Sequence, residues 1–149
     1  MNIIICGLKG TGKTSLCKEI EKEYGFNYIN DYTICDDFLN KYSLLSFIEN
    51  RDNYCIDLHY SLPPKKLSKL KNCIVYVLGF ASVNQNTLFE LFSENGETVT
   101  LKQVKRKIKL SLKFKKQCEK YDVNFIDINR DRKEIMLEIL NQIKAEIKN

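Results

Sequence analysis

No aliphatic run in the sequence is long enough to span a bilayer, which excludes a transmembrane helix. No basic stretch leads into an apolar run at its start, so no secretory leader is read there. Its six cysteines, at positions 6, 17, 35, 55, 73 and 118, form no C-x-x-C pair. That absence argues against a zinc site or a disulfide framework. Cys6, Cys55 and Cys73 fall in expected buried strands and read as reduced core thiols. Together these features predict a cytoplasmic protein. Repeats, low-complexity tracts and linkers are also lacking, so residues 1–149 are read as one domain. Arginine is scarce: Arg51, Arg106, Arg130 and Arg132 are the whole set, and His59 is the sole histidine.

What is present is enough apolar material for a core, with 44% of the 149 residues hydrophobic. The net charge of +5 is unevenly placed. Residues 102–120 carry nine lysines and arginines against Glu119, a local charge of +8, which leaves −3 for the rest (5 − 8). Such a patch either attracts phosphate, on a nucleotide or a nucleic acid, or is a solvated helix face.

Residues 7–14 read Gly-Leu-Lys-Gly-Thr-Gly-Lys-Thr, the phosphate-binding loop pattern G-x-x-x-x-G-K-[ST]. Gly7, Gly10 and Gly12 allow backbone angles and approaches that a Cβ blocks. Their N–H groups, with those of Thr11 and Ser15 beside them, form an anion nest around a polyphosphate. Lys13 reaches the β- and γ-phosphates, and the Thr14 hydroxyl is a Mg²⁺ ligand. A β-branched run, Asn2-Ile3-Ile4-Ile5-Cys6, precedes the loop. A helical pattern over residues 13–24 follows it, with Leu16, Cys17 and Ile20 on one face. Strand, loop and helix in this order are the context the motif requires.

Strand and helix signals alternate along the rest of the chain. Strands are expected at 26–30, 53–56, 72–78 and 123–128. Helices are expected at 36–50, from Pro63-Pro64 to about 70, at 85–93, at 101–121 and at 131–148, with a turn at Asn95-Gly96. The last helix places Ile135, Ile139, Ile143 and Ile147 on one face. This alternation predicts a three-layer α/β/α P-loop NTPase with a five-stranded parallel sheet in the order 2-3-1-4-5. Ligands in such sheets bind at the carboxyl ends of the strands, where Gly7, Asp31, Asp57 and Gly79 fall.

Candidate chemistry follows from that edge. Tyr54-Cys55-Ile56-Asp57 is apolar and ends in a carboxylate, the pattern of a strand that supports Mg²⁺; the alternative is a turn residue. Asp31 either takes a proton from an attacking hydroxyl, binds a substrate hydroxyl, or caps the next segment. Asp36 and Asp37 read as the N-cap and first-turn acids of the next helix. His59 either approaches the phosphates or the acceptor, or is structural. Residues 94–107 form an expected lid that runs from a polar turn into the basic helix, anchored by Val104, Ile108 and Leu112. Arg106 would close on the transferred phosphate. Arg130 and Arg132 follow strand five, where an arginine either stacks on a nucleotide base or salt-bridges at the start of the last helix; Arg132 is the cofactor-binding candidate.

With these residues in view, the chain resembles the P-loop small-molecule kinases, the adenylate kinase-like group that includes shikimate and gluconate kinases. The motif-level resemblance rests on residues 7–14, with support from Asp57. The stretch Ile56-Asp57-Leu58-His59-Tyr60 also looks like the Asp-x-His segment of small adenylate kinase-like ATPases linked to ribosome biogenesis. Two departures stand out. An Asp-Gly-x-Pro turn after strand three is replaced by Asp57-Leu58-His59-Tyr60, and the acceptor segment, about 32–51, has no arginine before Arg51. The resemblance implies ATP and Mg²⁺ as cofactors and a kinase acting on a nucleotide or other small acceptor. Two alternatives stand beside it: a P-loop ATPase acting as an assembly factor, and a nucleic-acid-binding protein using the basic helix 102–120.

Overall fold

The computed structural model describes residues 1–8, 10–38, 41–80, 90 and 100–148, and the side chains of residues 35–43 are outside the description. Five strands form one parallel sheet: β1 (Asn2–Gly7), β2 (Asn27–Asn30), β3 (Tyr54–Leu58), β4 (Cys73–Gly79) and β5 (Asn124–Asp127). Their order is β2-β3-β1-β4-β5, as the alternation predicts. The helices are α1 (Lys13–Tyr24), α2 (Asp31–Phe38), α3 (Lys41–Asn50), α4 (Pro64–Leu67), α5 (Leu101–Tyr121) and α6 (Arg132–Lys148). The helix expected at 85–93 and the turn at Asn95-Gly96 lie outside the described residues, Glu90 aside. No described helix is long and apolar enough to cross a membrane.

Strand β1 is buried along its whole length because it is central and covered on both faces. Its side chains alternate between two cores. Ile3 and Ile5 join Leu16, Cys17 and Ile20 of α1 and Ile135, Ile139 and Ile143 of α6. Ile4 and Cys6 join Ile34 of α2, Leu44 and Ile48 of α3, Leu67 of α4, and Phe114 and Cys118 of α5. Three layers result. Ile147 is 43% exposed, because α6 has passed the sheet by its last turn. Cys73 is only half-buried, since it opens β4 at the sheet's lower rim. The five described cysteines are free thiols.

Two helical expectations are corrected. Residues 36–50 are not one helix from Asp36: α2 begins at Asp31 and α3 at Lys41. Asn30 supplies the cap, its Oδ1 accepting from the N–H and the hydroxyl of Thr33. Asp36 and Asp37 therefore lie within α2 and cap nothing at its start. On α5 the buried stripe is Val104, Ser111, Phe114 and Cys118, and Leu112 is 40% exposed. Seven residues are nearly two full turns, so 104, 111 and 118 share a face, whereas 112 has rotated away.

Helix α5 starts at a capping box. Thr100 Oγ1 accepts from the Gln103 N–H at 3.2 Å, and Gln103 Oε1 accepts from the Thr100 N–H at 2.9 Å. Tyr60 docks this helix to the sheet. Its ring stacks on Phe114 at 3.8 Å, and its hydroxyl donates to the Leu78 carbonyl at 3.0 Å. Gly79 leaves room for that contact: a Cβ there would lie 2.7 Å from Phe125 Cζ and 2.9 Å from the Tyr60 hydroxyl. Gly79→Ala is expected to cost about 1–3 kcal/mol by overpacking. Urea unfolding measures it, and an unchanged midpoint would contradict this packing account.

Candidate active site

Strand β1 ends at Gly7, and α1 begins six residues later at Lys13. The loop between them turns through Gly10 and Gly12, with φ of 88° and 87°, a region that L side chains avoid. Gly7 is needed for space. A Cβ there would come within 2.9 Å of the Leu78 carbonyl oxygen and of Thr11 Oγ1. Thr11 braces the loop by donating its hydroxyl to the Leu8 carbonyl at 2.6 Å. Gly12 caps α1 without any side-chain hydrogen bond, and the first turn holds no acid. The helix's leading N–H groups therefore face the loop unopposed, as an anion cradle requires.

Beneath the cradle lies a buried polar cluster. Thr14 Oγ1 donates to Asp57 Oδ2 at 2.7 Å, and the Tyr28 hydroxyl donates to the same oxygen at 3.3 Å. Lys13 Nζ donates to the Leu8 carbonyl at 3.1 Å and lies 3.8 Å from Asp57 Oδ1. Lys13 and Asp57 are both about 95% buried, at 5% and 4% exposure. Burial lowers the pKa of Lys13, and the Asp57 carboxylate beside it opposes that shift. Asp57 Oδ1 is buried without a hydrogen-bond partner. An orphaned carboxylate oxygen next to a hydroxyl is a pair of hard oxygen donors, the set that suits Mg²⁺. Among the described residues, no group of three His, Cys, Asp or Glu forms a cage of its own. Mg²⁺ in a nucleotide site needs only one or two protein ligands. Thr14 and Asp57 thus fit the metal role expected of them.

The register explains why these residues meet. Asp57 pairs with Ile5 of β1 on one side and with Asn30 of β2 on the other. One residue past Asn30, Asp31 reaches across to the loop after β3. Its carboxylate accepts from the His59 N–H at 2.9 Å and from the Ser61 hydroxyl at 2.9 Å, and lies 3.1 Å from His59 Nδ1. Burial alone would raise the Asp31 pKa; the bonds from His59 and Ser61 outweigh it and lower the value. Cys6 adds a further tie, its thiol donating to the His59 carbonyl at 3.3 Å. Burial pushes that thiol's pKa up, which keeps the proton on the donor.

Two cavities meet at the loop. One, of about 320 Å³, is mostly apolar, with Leu16, Leu78, Phe80, Ile128, Ile135 and Met136 in its walls. The other, of about 460 Å³, is lined by Lys13, Thr14, Tyr28, Asn30, Tyr32, Asp57 and His59. Gly10, Gly12, Ser15 and Arg132 line both. Arg132 is the arginine shared by the two cavities; Arg130, paired with Glu138 at 2.8 Å, lines the apolar one alone.

The structure thus brings Gly7, Gly10, Thr11, Gly12, Lys13, Thr14, Ser15, Asp57 and Arg132 to one site. Asp31 stands behind His59, outside the cavity lining. Arg106 is exposed on α5 beside Lys109 and Leu110, along a separate groove. Of the expected lid, residues 94–99 lie outside the described ones, and from Leu101 on the chain is α5. Sequence reasoning missed Tyr28, Asn30, Tyr32 and Ser61. The strand order alone does not flag the first three; the β2–β3 register, which sets Asn30 opposite Asp57, does.

Asp31 yields a pH-dependent prediction. Asp31→Asn is expected to destabilise by about 1–3 kcal/mol at neutral pH. Its native pKa is lowered, so its stabilising contribution is full above the unfolded value of about 4 and is lost as pH falls through the native value. The gap between wild type and variant should hold steady down to about pH 4 and close between there and the lower native value. Denaturant titrations across pH measure it; a gap that widens in acid would contradict the assignment.

No protein-family model and no curated sequence matches the chain. Solved structures do match over nearly the full length. The YorR protein of Bacillus subtilis, crystallised with phosphorylated GDP, has a TM-score of 0.71 at 14% identity, covering 100% of this chain and 99% of that one. Shikimate kinase of Aquifex aeolicus gives 0.65 at 16% identity, with 100% and 99% covered. Deoxyadenosine kinase of M. mycoides with bound dATP gives 0.63 at 18% identity, with 97% and 99% covered. At such identities the likeness is one of architecture: the chain has the fold of the P-loop small-molecule kinases.

Proposed function

We propose that the protein is an ATP-dependent small-molecule kinase that transfers the γ-phosphate of MgATP to a nucleotide or another small acceptor. The observation that carries this reading is the placement of the Lys13–Asp57–Thr14 cluster where two cavities of opposite character meet. The polar cavity contains Lys13, Thr14 and Asp57 of the cradle and runs past them to Tyr28, Asn30, Tyr32 and His59, and that extension supplies a place for an acceptor.

In this reading the apolar cavity takes the base, with Arg132 over it. The loop N–H groups and Lys13 hold the polyphosphate. Thr14 and Asp57 would hold Mg²⁺, which when bound neutralises charge on the β- and γ-phosphates. Asp31 acts as a positioning residue, fixing His59 at the mouth of the acceptor cavity. Arg106, four residues into α5's basic run, is proposed to meet the transferred phosphate when the site is filled. Structural neighbours that include a shikimate kinase and a deoxyadenosine kinase agree with a phosphotransferase.

Nucleotide binding is tested by melting. MgATP at 100 times its dissociation constant should stabilise the fold by about 2.7 kcal/mol, and no shift at millimolar MgATP would contradict the reading. Lys13→Ala should lower turnover by about 100-fold or more, since phosphoryl transfer rests on positioning and charge stabilisation. Arg106→Ala should lower kcat at unchanged MgATP affinity, because it is proposed to meet charge that develops during transfer. Unchanged turnover would leave Arg106 a solvated surface residue.

A further inference from the structure

The polar cavity has few cations, and this bears on what it can hold. Beyond the cradle its wall is Tyr28, Asn30, Tyr32 and His59. Among the described residues its cations are Lys13 of the cradle and Arg132 of the shared rim. The remaining arginines are committed elsewhere. Arg51 follows α3 and stands over the Phe47 ring, just before β3 begins at the amino edge of the sheet. Arg130 is paired with Glu138, and Arg106, which lines the α5 groove, is assigned above to the transferred phosphate. Residues 81–99, which continue the chain past β4, contain no lysine or arginine. An acceptor phosphate or carboxylate taken out of water needs a charged partner, most often a bidentate arginine. Among the described side chains the acceptor end of the cavity offers none; Lys41 of the acceptor segment lies outside them.

What it offers is hydrogen bonding and ring surface. Asn30 contributes its amide N–H groups, its Oδ1 being taken by Thr33; Tyr28 contributes ring surface, its hydroxyl being tied to Asp57; Tyr32 contributes a hydroxyl and His59 an imidazole. The imidazole is fixed from behind by Asp31 at 3.1 Å, and the Tyr32 ring leans on it with centroids 5.0 Å apart. Tyr32 is 64% exposed, which leaves its ring available at the cavity's rim. Large, rigid rings with polar tips bind flat ligands at low entropic cost.

On the kinase reading above, we propose that the acceptor is an uncharged hydroxyl compound with a flat or apolar ring face, a nucleoside or a cyclic polyol, and not a monophosphate or a carboxylate. Transfer joins the acceptor hydroxyl oxygen to the γ-phosphorus and breaks the bond to the β,γ-bridging oxygen. The electron pair leaves with ADP, and the hydroxyl proton passes to solvent.

The experiment uses the full chain with three acceptor panels: nucleosides, cyclic sugars and polyols, and the monophosphate or carboxylate counterpart of each. ADP release with MgATP is followed alongside saturation-transfer NMR of acceptor binding to the MgADP complex. Neutral acceptors should exceed their charged counterparts by about 100-fold in kcat/KM, the discrimination expected when a site leaves a buried group unpaired. The panel that responds tells nucleoside from polyol. Preferred turnover of a charged counterpart would overturn this inference and leave the kinase reading intact. Nucleotide binding without acceptor-dependent ADP release from any panel would overturn both. Tyr32→Ala should raise the acceptor KM about tenfold, with the MgATP dissociation constant and the melting temperature unchanged. An unchanged acceptor KM would contradict the ring's assigned role.

Discussion

The Asp57 carboxylate is buried between Thr14, Tyr28 and Lys13, and a buried carboxylate costs several kcal/mol unless charge and hydrogen bonds compensate it. Three residues from two elements supply that compensation. Thr14 and Lys13 belong to the first turn of α1, and Tyr28 belongs to β2. The requirement therefore fixes how the phosphate loop, the central strand pair and the acceptor side of the sheet stand to one another. It also leaves one oxygen, Oδ1, without a hydrogen bond. An apolar residue of similar size would pack there without that penalty. The geometry is better suited to holding a cation and a polyphosphate than to stabilising an empty fold.

A second set of ties, centred on Asp31, extends the order outward. Asp31 holds the backbone and ring of His59 and the Ser61 hydroxyl, and Cys6 holds the His59 carbonyl. The loop after β3 is thereby fastened to β1 and to the start of α2. A loop fastened in this way gives the acceptor cavity a pre-formed wall, and pre-formed walls spend less of the binding energy on ordering. The apolar cavity is built differently. Its walls come from the cores themselves: Leu16 and Ile135 belong to the same cluster as Ile3 and Ile5. One side of the site is thus a product of packing and the other of polar ties.

Much of this was legible in the sequence. Runs such as Ile3-Ile4-Ile5 and Ile74-Val75-Tyr76-Val77 announce buried parallel strands, and their alternation with helices sets the topology. The glycine spacing of residues 7–14 places the cradle, and the position of Asp57 at a strand's carboxyl end places the carboxylate proposed to hold the metal. What was not legible depends on register. Nothing local in Asp31 or His59 shows that they meet, because 28 residues separate them and only the β2–β3 pairing brings them together. The start of α2 was hidden for another reason. Tyr32, Thr33 and Ile34 are weak helix formers, and the Asn30 side chain overrides that weakness by capping Thr33. The stripe on α5 was misplaced at Leu112 because apolar residues occupy both of its flanks.

The central claim is that the cluster under residues 10–14 is the phosphate and metal pole of the molecule. The most direct measurement replaces Mg²⁺ by paramagnetic Mn²⁺ in the ADP complex and maps the broadening of backbone amide resonances. Gly12, Thr14 and Asp57 should broaden first and most strongly, Asn30 and His59 less, while Asn53 and Asn72 at the opposite edge of the sheet remain sharp. Broadening centred on α5, or none at any of these amides with nucleotide bound, would contradict the account.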